Sequence, residues 1–211
     1  MATDIWNFGD IKTATRNYAK LKDTTAFSDA NLGDAVNRYY HYDFVLDVKP
    51  TELLDYWEFN TSSGVDTEAL DDTTVAVIKD YGRVADYDLK IYFDEKLYYE
   101  QWSPLASPAN ARPTEALFYG GSLIMSPTPD ATYAVKIPCW ARPATFSIDS
   151  DLPTREEWGK MIAIGTARML AGQYGDTKRL TFLEALFKEE LARLQGKTFE
   201  QYSSKRIRPK Y

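Results

Sequence analysis

At 211 residues, 44% of them hydrophobic and 27% charged, the chain suits one ordinary domain, or one carrying an insertion, and is too apolar for wholesale disorder. Its net charge of −6 disfavours a general grip on nucleic acid, which needs clustered Lys and Arg. The one cysteine, Cys139, excludes an intrachain disulfide and a thiolate zinc site, while 15 Tyr and 5 Trp favour a chain with large contact surfaces.

The opening MATDIWNFGD has no basic stretch followed by an apolar one, and no apolar run approaches the roughly 18 residues of a membrane span. A soluble protein made in a reducing cytoplasm is expected. From Phe8 to Phe44 the spacing is helical. Ile11, Tyr18 and Leu21 mark one face, and Leu32, Val36, Tyr39 and Tyr40 mark a second helix after an N-cap at Ser28 or Asp29.

From Leu53 to about Trp140 the pattern turns to short β-rich runs: DYWEFNTS, TTVAVIKDY, YDLKIYF, EALFYGG, SLIMS and ATYAVKIPCWA, with one short helix, DEKLYYEQW, starting at Asp94. Gly120-Gly121 is a two-residue hairpin signal, because glycine takes positive φ without penalty. Pro127-Thr128-Pro129-Asp130 removes two amide donors and so predicts a turn outside any ladder. Together they predict a three-stranded meander. Its last strand sends Tyr133, Val135, Ile137 and Cys139 one way and Ala134, Lys136, Pro138 and Trp140 the other, with Pro138 arguing for a sheet edge.

Helices return after Pro153. Thr154-Arg155-Glu156-Glu157 fits a capping box, and Trp158, Met161, Ile162, Gly165 and Met169 follow at helical spacing up to Gly172 or Gly175. A last helix begins at Asp176, carries Leu180, Leu183, Phe187, Leu191 and Leu194 on one stripe, and is expected to stop at Gly196. The plan is α+β: helices of a bundle at 1–50 and 147–196, an inserted antiparallel β subdomain at 51–146, and an extended basic tail at 197–211.

Three features carry a resemblance. RYYHYDF at the close of the second helix, the glycine hairpin leading into SPTPDATYAVKI, and WARPATFSIDSDLP running into EEWGKMIAIGTARMLAGQYGD together resemble the head-to-tail connector, or adaptor, proteins of tailed bacteriophages. The likeness runs from about Ala35 to Leu194 and rests on turns and caps. It implies a helical bundle with a β insertion, a homo-oligomer in a twelve-fold ring beneath the portal protein, and contact with tail or nozzle proteins. It also implies a virion neck location, genomic DNA passing through without specific binding, and no enzyme activity or cofactor. In such proteins a C-terminal extension docks on the portal, which here points to Lys205, Arg206, Ile207, Arg208, Lys210 and Tyr211.

That segment, KRIRPKY, holds four of the 25 Lys and Arg and no acid, so the preceding 204 residues carry 21 basic against 31 acidic residues. Ile207 and Tyr211 are anchors that a merely solubilising tail does not need. The chemical alternatives are weaker. His41, the only histidine, has no nucleophile motif with it and reads as a cap or packing residue. Asp149 with Asp151, and Asp86 with Asp88, lack the order of a calcium loop; the first pair is expected to stabilise the dipole of the helix that follows. Asp71-Asp72 reads as a solvated turn, and Trp158, Met161 and Met169 as core. Besides the adaptor ring, the sequence allows another phage neck or tail structural protein, or an uncharacterised soluble enzyme.

Overall fold

The computed structural model describes residues 6–21, 27–78, 80–101 and 109–204, with side chains as far as 195. The chain is a mixed α and β protein that divides into two compact units. One takes the chain up to Thr51 and again from Pro143; the other is Glu52–Arg142.

In the first unit, α1 (Phe8–Ala19) starts on a capping box that sequence inspection did not single out: the Asn7 side chain accepts from Asp10 N at 2.9 Å and Asp10 returns the bond. Helix α2 (Asp29–Arg38) is capped as expected by Ser28, whose hydroxyl accepts from Asn31 N. The helix does not close at RYYHYDF. It widens into one π-helical turn, Tyr39–Asp43, and continues as α3 (Phe44–Val48), ending only where Lys49 turns left-handed ahead of Pro50. In the π turn the Phe44 amide donates to Tyr39 O, and Tyr39, Tyr40, Phe44 and Val45 are all buried.

Helix α5 (Gly159–Gln173) touches α1, α2, the π turn and α6 (Thr177–Ser204), and ten of its 15 residues are buried. Its glycines let neighbours approach. A Cβ on Gly165 would stand 2.0 Å from the Tyr39 ring, and one on Gly159 2.1 Å from Trp6 Cβ. The predicted capping box at Thr154 is not made: a 3-10 turn, Glu156–Trp158, precedes α5 without a side-chain cap, because the Thr154 hydroxyl is bound to Tyr40 instead. Asp176 does cap α6, accepting from Arg179 N at 3.0 Å. The expected stripe of α6 is present, with Leu183, Phe187 and Leu194 buried. Gly196 does not stop it. The backbone stays helical to Ser204, since a glycine ends a helix only when it turns left-handed, and Lys197-Thr198-Phe199-Glu200-Gln201 can all propagate one.

The second unit is one eight-stranded sheet: β1 (Leu54–Asn60), β2 (Thr67–Ala69), β3 (Thr74–Val77), β4 (Tyr81–Val84), β5 (Tyr87–Tyr92), β6 (Glu115–Tyr119), β7 (Ser122–Ser126) and β8 (Ala134–Ala141). Their order is β1-β8-β4-β5-β6-β7-β2, with β3 also on β8. The glycine hairpin joins β6 to β7 with both glycines at positive φ. The meander ends there. The proline turn carries the chain away, β2 takes the open side of β7, and β8 pairs with β1, β3 and β4.

Nor is the sheet wholly antiparallel: β5 and β6 run parallel, joined by a crossover containing α4 (Glu95–Gln101), which starts on the Asp94 cap. Strand β8 is interior, not an edge. Ile78 N donates to Pro138 O at 3.1 Å, so the side of Pro138 without a donor faces the seam where β3 leaves off and β4 begins. Alternation places Val135, Ile137 and Cys139 in the core with Trp57, Leu89, Ile91, Leu123 and Met125. The other face is covered only in part, where Tyr98 of α4 packs on Tyr92 and Leu117.

Candidate functional site

The segment that reads WARPATFSIDSDLP in the sequence is, from Pro143 on, a clasp on the helical unit. Phe146 is sandwiched between Phe8 and Tyr40, each ring centroid 4.9 Å away. Asn37 grips the Phe146 backbone from both sides, donating to its carbonyl at 3.0 Å and accepting from its amide at 2.8 Å. His41 Nδ1 lies 2.9 Å from Pro143 O and therefore donates to it, which places this histidine in packing. Tyr40 closes the clasp at Thr154, both hydroxyl to hydroxyl and amide to hydroxyl, at 3.0 Å. Burial raises the Tyr40 pKa, with the Thr154 bonds pulling the other way.

Asp149 and Asp151 sit in the same clasp, but their helix is α1 and not the one that follows them. The carbonyls of Asp151 and Asp149 accept from the first-turn amides of Phe8 and Gly9 at 2.8 and 3.0 Å. The Asp149 carboxylate pairs with Lys12 at 2.7 Å. The Asp151 carboxylate accepts from the amides of Ile148 and Ser147, which lower its pKa. Asp86 and Asp88 belong to the β4–β5 hairpin, with Asp88 opposite Arg83. Asp71 turns the chain into β3 by accepting from Thr73 N at 2.7 Å. Trp158 and Met161 are core, Met169 is half-buried, and Cys139 is buried near Thr74 with its thiol pKa raised by that burial. The docking segment Lys205, Arg206, Ile207, Arg208, Lys210 and Tyr211 lies outside the described residues.

Two further surface features stand out, the first of them not found by sequence reasoning. On the helical unit, a groove of about 370 Å³ is lined by Asp43, Leu46, Asp47, Met169, Leu180 and Glu184, among others. Asp47 accepts from Arg168 at 2.6 Å and from the Tyr39 hydroxyl at 3.1 Å, and Arg168 lies over the Phe187 ring. Burial first, and then the Asp47 charge, push the Tyr39 pKa well up, so this hydroxyl stays a donor. Asp47 and Arg168 are 121 residues apart, and no local pattern announces them. On the sheet unit, the face left bare by α4 forms a depression lined by Leu54, Tyr56, Tyr81, Arg83, Lys136 and Pro138. Alternation did imply that face, since Lys136 and Pro138 point away from the core.

The first unit also holds a buried acid, Glu190, paired with Lys160 at 2.9 Å and with Arg193. It was not singled out from the sequence, although a signal for it was present. Glu190 interrupts the apolar stripe of Leu183, Phe187 and Leu194, and a charge at a core position demands partners.

These are structural and contact features. The sequence matches the model of the SU10 adaptor protein family over residues 6–209. The chain belongs to that family. No curated protein matches it. Membership of the SU10 adaptor family makes this a phage structural adaptor protein, implies a structural and not an enzymatic role, and implies a place in the virion neck in contact with portal and tail components. No helix among the described residues is long and apolar enough to cross a membrane.

Proposed function

We propose that the protein forms a homo-oligomeric ring, twelve-fold by analogy with the connectors it resembles, attached below the portal, joining it to the tail and lining the DNA passage. The observation that carries this reading is the family match, which spans nearly the whole chain, basic segment included as far as residue 209. The charge distribution agrees with it. With 21 basic against 31 acidic residues, the body repels passing phosphates on balance, while the basic segment 205–211 has the composition of a docking peptide: two arginines able to fork onto carboxylates, and Ile207 and Tyr211 as apolar anchors.

Portal docking through that segment is tested by ending the chain at Ser204. The melting temperature is expected to stay nearly unchanged while binding to the cognate portal weakens sharply. Binding of the intact chain should also fall with added salt. Equal docking by shortened and full chains at physiological salt sinks the assignment of these residues, and absence of rings in negative-stain images of the protein with its portal sinks the ring.

A further inference from the structure

The groove on the helical unit has a shape and charge of its own. Its lining acids are Asp43, Asp47 and Glu184, and its apolar lining includes Leu46, Met169 and Leu180. Asp47 is already held by Arg168 and Tyr39, whereas Asp43 and Glu184 are exposed, as is Leu46 at 52%. Two exposed carboxylates and an exposed leucine complement a peptide that reads cation, apolar, cation. Arg206-Ile207-Arg208 reads that way.

Helix geometry decides whose segment it is. Helix α6 begins at the groove, which Leu180 and Glu184 line, and runs away from it to Ser204. At about 1.5 Å per residue, Ser204 stands roughly 30 Å along the axis from Glu184. Ile207 lies at most about 11 Å of chain beyond Ser204, and Tyr211 at most about 25 Å. A chain cannot lay this segment in its own groove.

We propose that the groove receives residues 205–211 of a second copy of the protein. Acceptor and donor sit toward opposite ends of one long helix, so the contact is head-to-tail and repeats from copy to copy, closing into a ring or continuing as a filament. The inference rests on the reading of 205–211 as a docking segment and gives that segment an acceptor before a portal competes for it.

Sedimentation velocity on the full chain at low salt tests it. Self-association is expected, weakening as salt is added. Asp43→Arg with Glu184→Arg, and separately Arg206→Glu with Arg208→Glu, are each expected to weaken it about tenfold or more, and the chain carrying all four changes to recover it. All four positions are surface or terminal, and circular dichroism checks that each variant is folded. An equimolar mixture of the two double variants keeps one intact groove and one intact segment, together with one reversed groove and one reversed segment, and is expected to associate better than either alone. A full chain that stays monomeric at 100-fold dilution steps from the highest soluble concentration, association indifferent to both double variants, or no recovery in the fourfold variant overturns the proposal. Portal binding is read separately: Asp43→Arg with Glu184→Arg leaves the segment intact, so docking that survives in this variant but fails in the chain ended at Ser204 preserves the proposed function whatever the groove does.

Discussion

The two units bury their cores in different ways. In the helical unit α5 is enclosed on nearly every side, and contact at its glycines is so close that Tyr39 and Trp6 occupy the space of the missing side chains. In the sheet unit one face is sealed, while the other is covered by α4 over β5–β7 and bare over β1, β8 and β4. A helix surrounded by its neighbours has no spare face for a partner. A half-covered sheet does, and so do the outer helices α3 and α6.

The comparison sharpens first at the cores. Leu183→Ala in the helical unit and Ile137→Ala in the sheet unit remove side chains with no exposed surface, and each should cost about 2–5 kcal/mol in denaturant unfolding. If the units are separate cores, hydrogen exchange should speed up chiefly in the unit that carries the substitution. Equal loss of protection in both would merge them into one cooperative body.

Next is Gly165→Ala. The new methyl must displace the Tyr39 ring, so a loss of about 1–3 kcal/mol is expected from overpacking, although alanine is the better helix former. A gain in stability would mean that α5 can shift away from the π turn.

Glu190 gives a smaller effect with a pH signature. Burial pushes its carboxyl up, but the hydrogen bonds and charges of Arg193 and Lys160 more than offset that and hold the pKa below its ordinary value. A group lowered in this way stabilises the fold above the unfolded carboxylate value, about 4.3, and the contribution is lost as pH falls through the folded value. Glu190→Gln should cost about 1 kcal/mol at neutral pH, because Lys160 and Arg193 are half exposed and can turn to water. The gap from the parent should narrow below about pH 4. A gap independent of pH would remove the carboxylate from the account.

Smallest of all is Tyr56→Ser on the bare sheet face. Tyr56 is 58% exposed, so stability should change by no more than about 0.5 kcal/mol. A larger loss would show that this face is covered within the isolated chain.

What could be read from the sequence follows the range of the interactions. The Ser28 and Asp94 caps, the glycine hairpin, the α6 stripe and the alternation of β8 are decided within a few residues, and the structure has them. Strand order is not. Nothing near Pro138 indicates that β1 will lie along one side of β8 while β3 and β4 share the other, so a proline that is normally an edge residue sits inside a sheet. Strands β2 and β4 were also missed, being three and four residues long and lacking an apolar run of their own. The clasp at Phe146 and the Asp47–Arg168 pair join residues more than a hundred positions apart. Caps can mislead for the same reason: Thr154 has the right sequence for one, but a tyrosine from a distant helix claims its hydroxyl.

The pairing of β1 with β8 also fixes how the chain visits its sheet. The first strand of the sheet unit lies antiparallel to the last, with Leu54 opposite Trp140, so the chain enters and departs through one doorway. Antiparallel partners stand about 5 Å apart at Cα, a gap that a two-residue turn can bridge. The unit is therefore built as a removable cassette: its interior can lengthen, shorten or be exchanged between adaptors without changing the distance that the host helices must span.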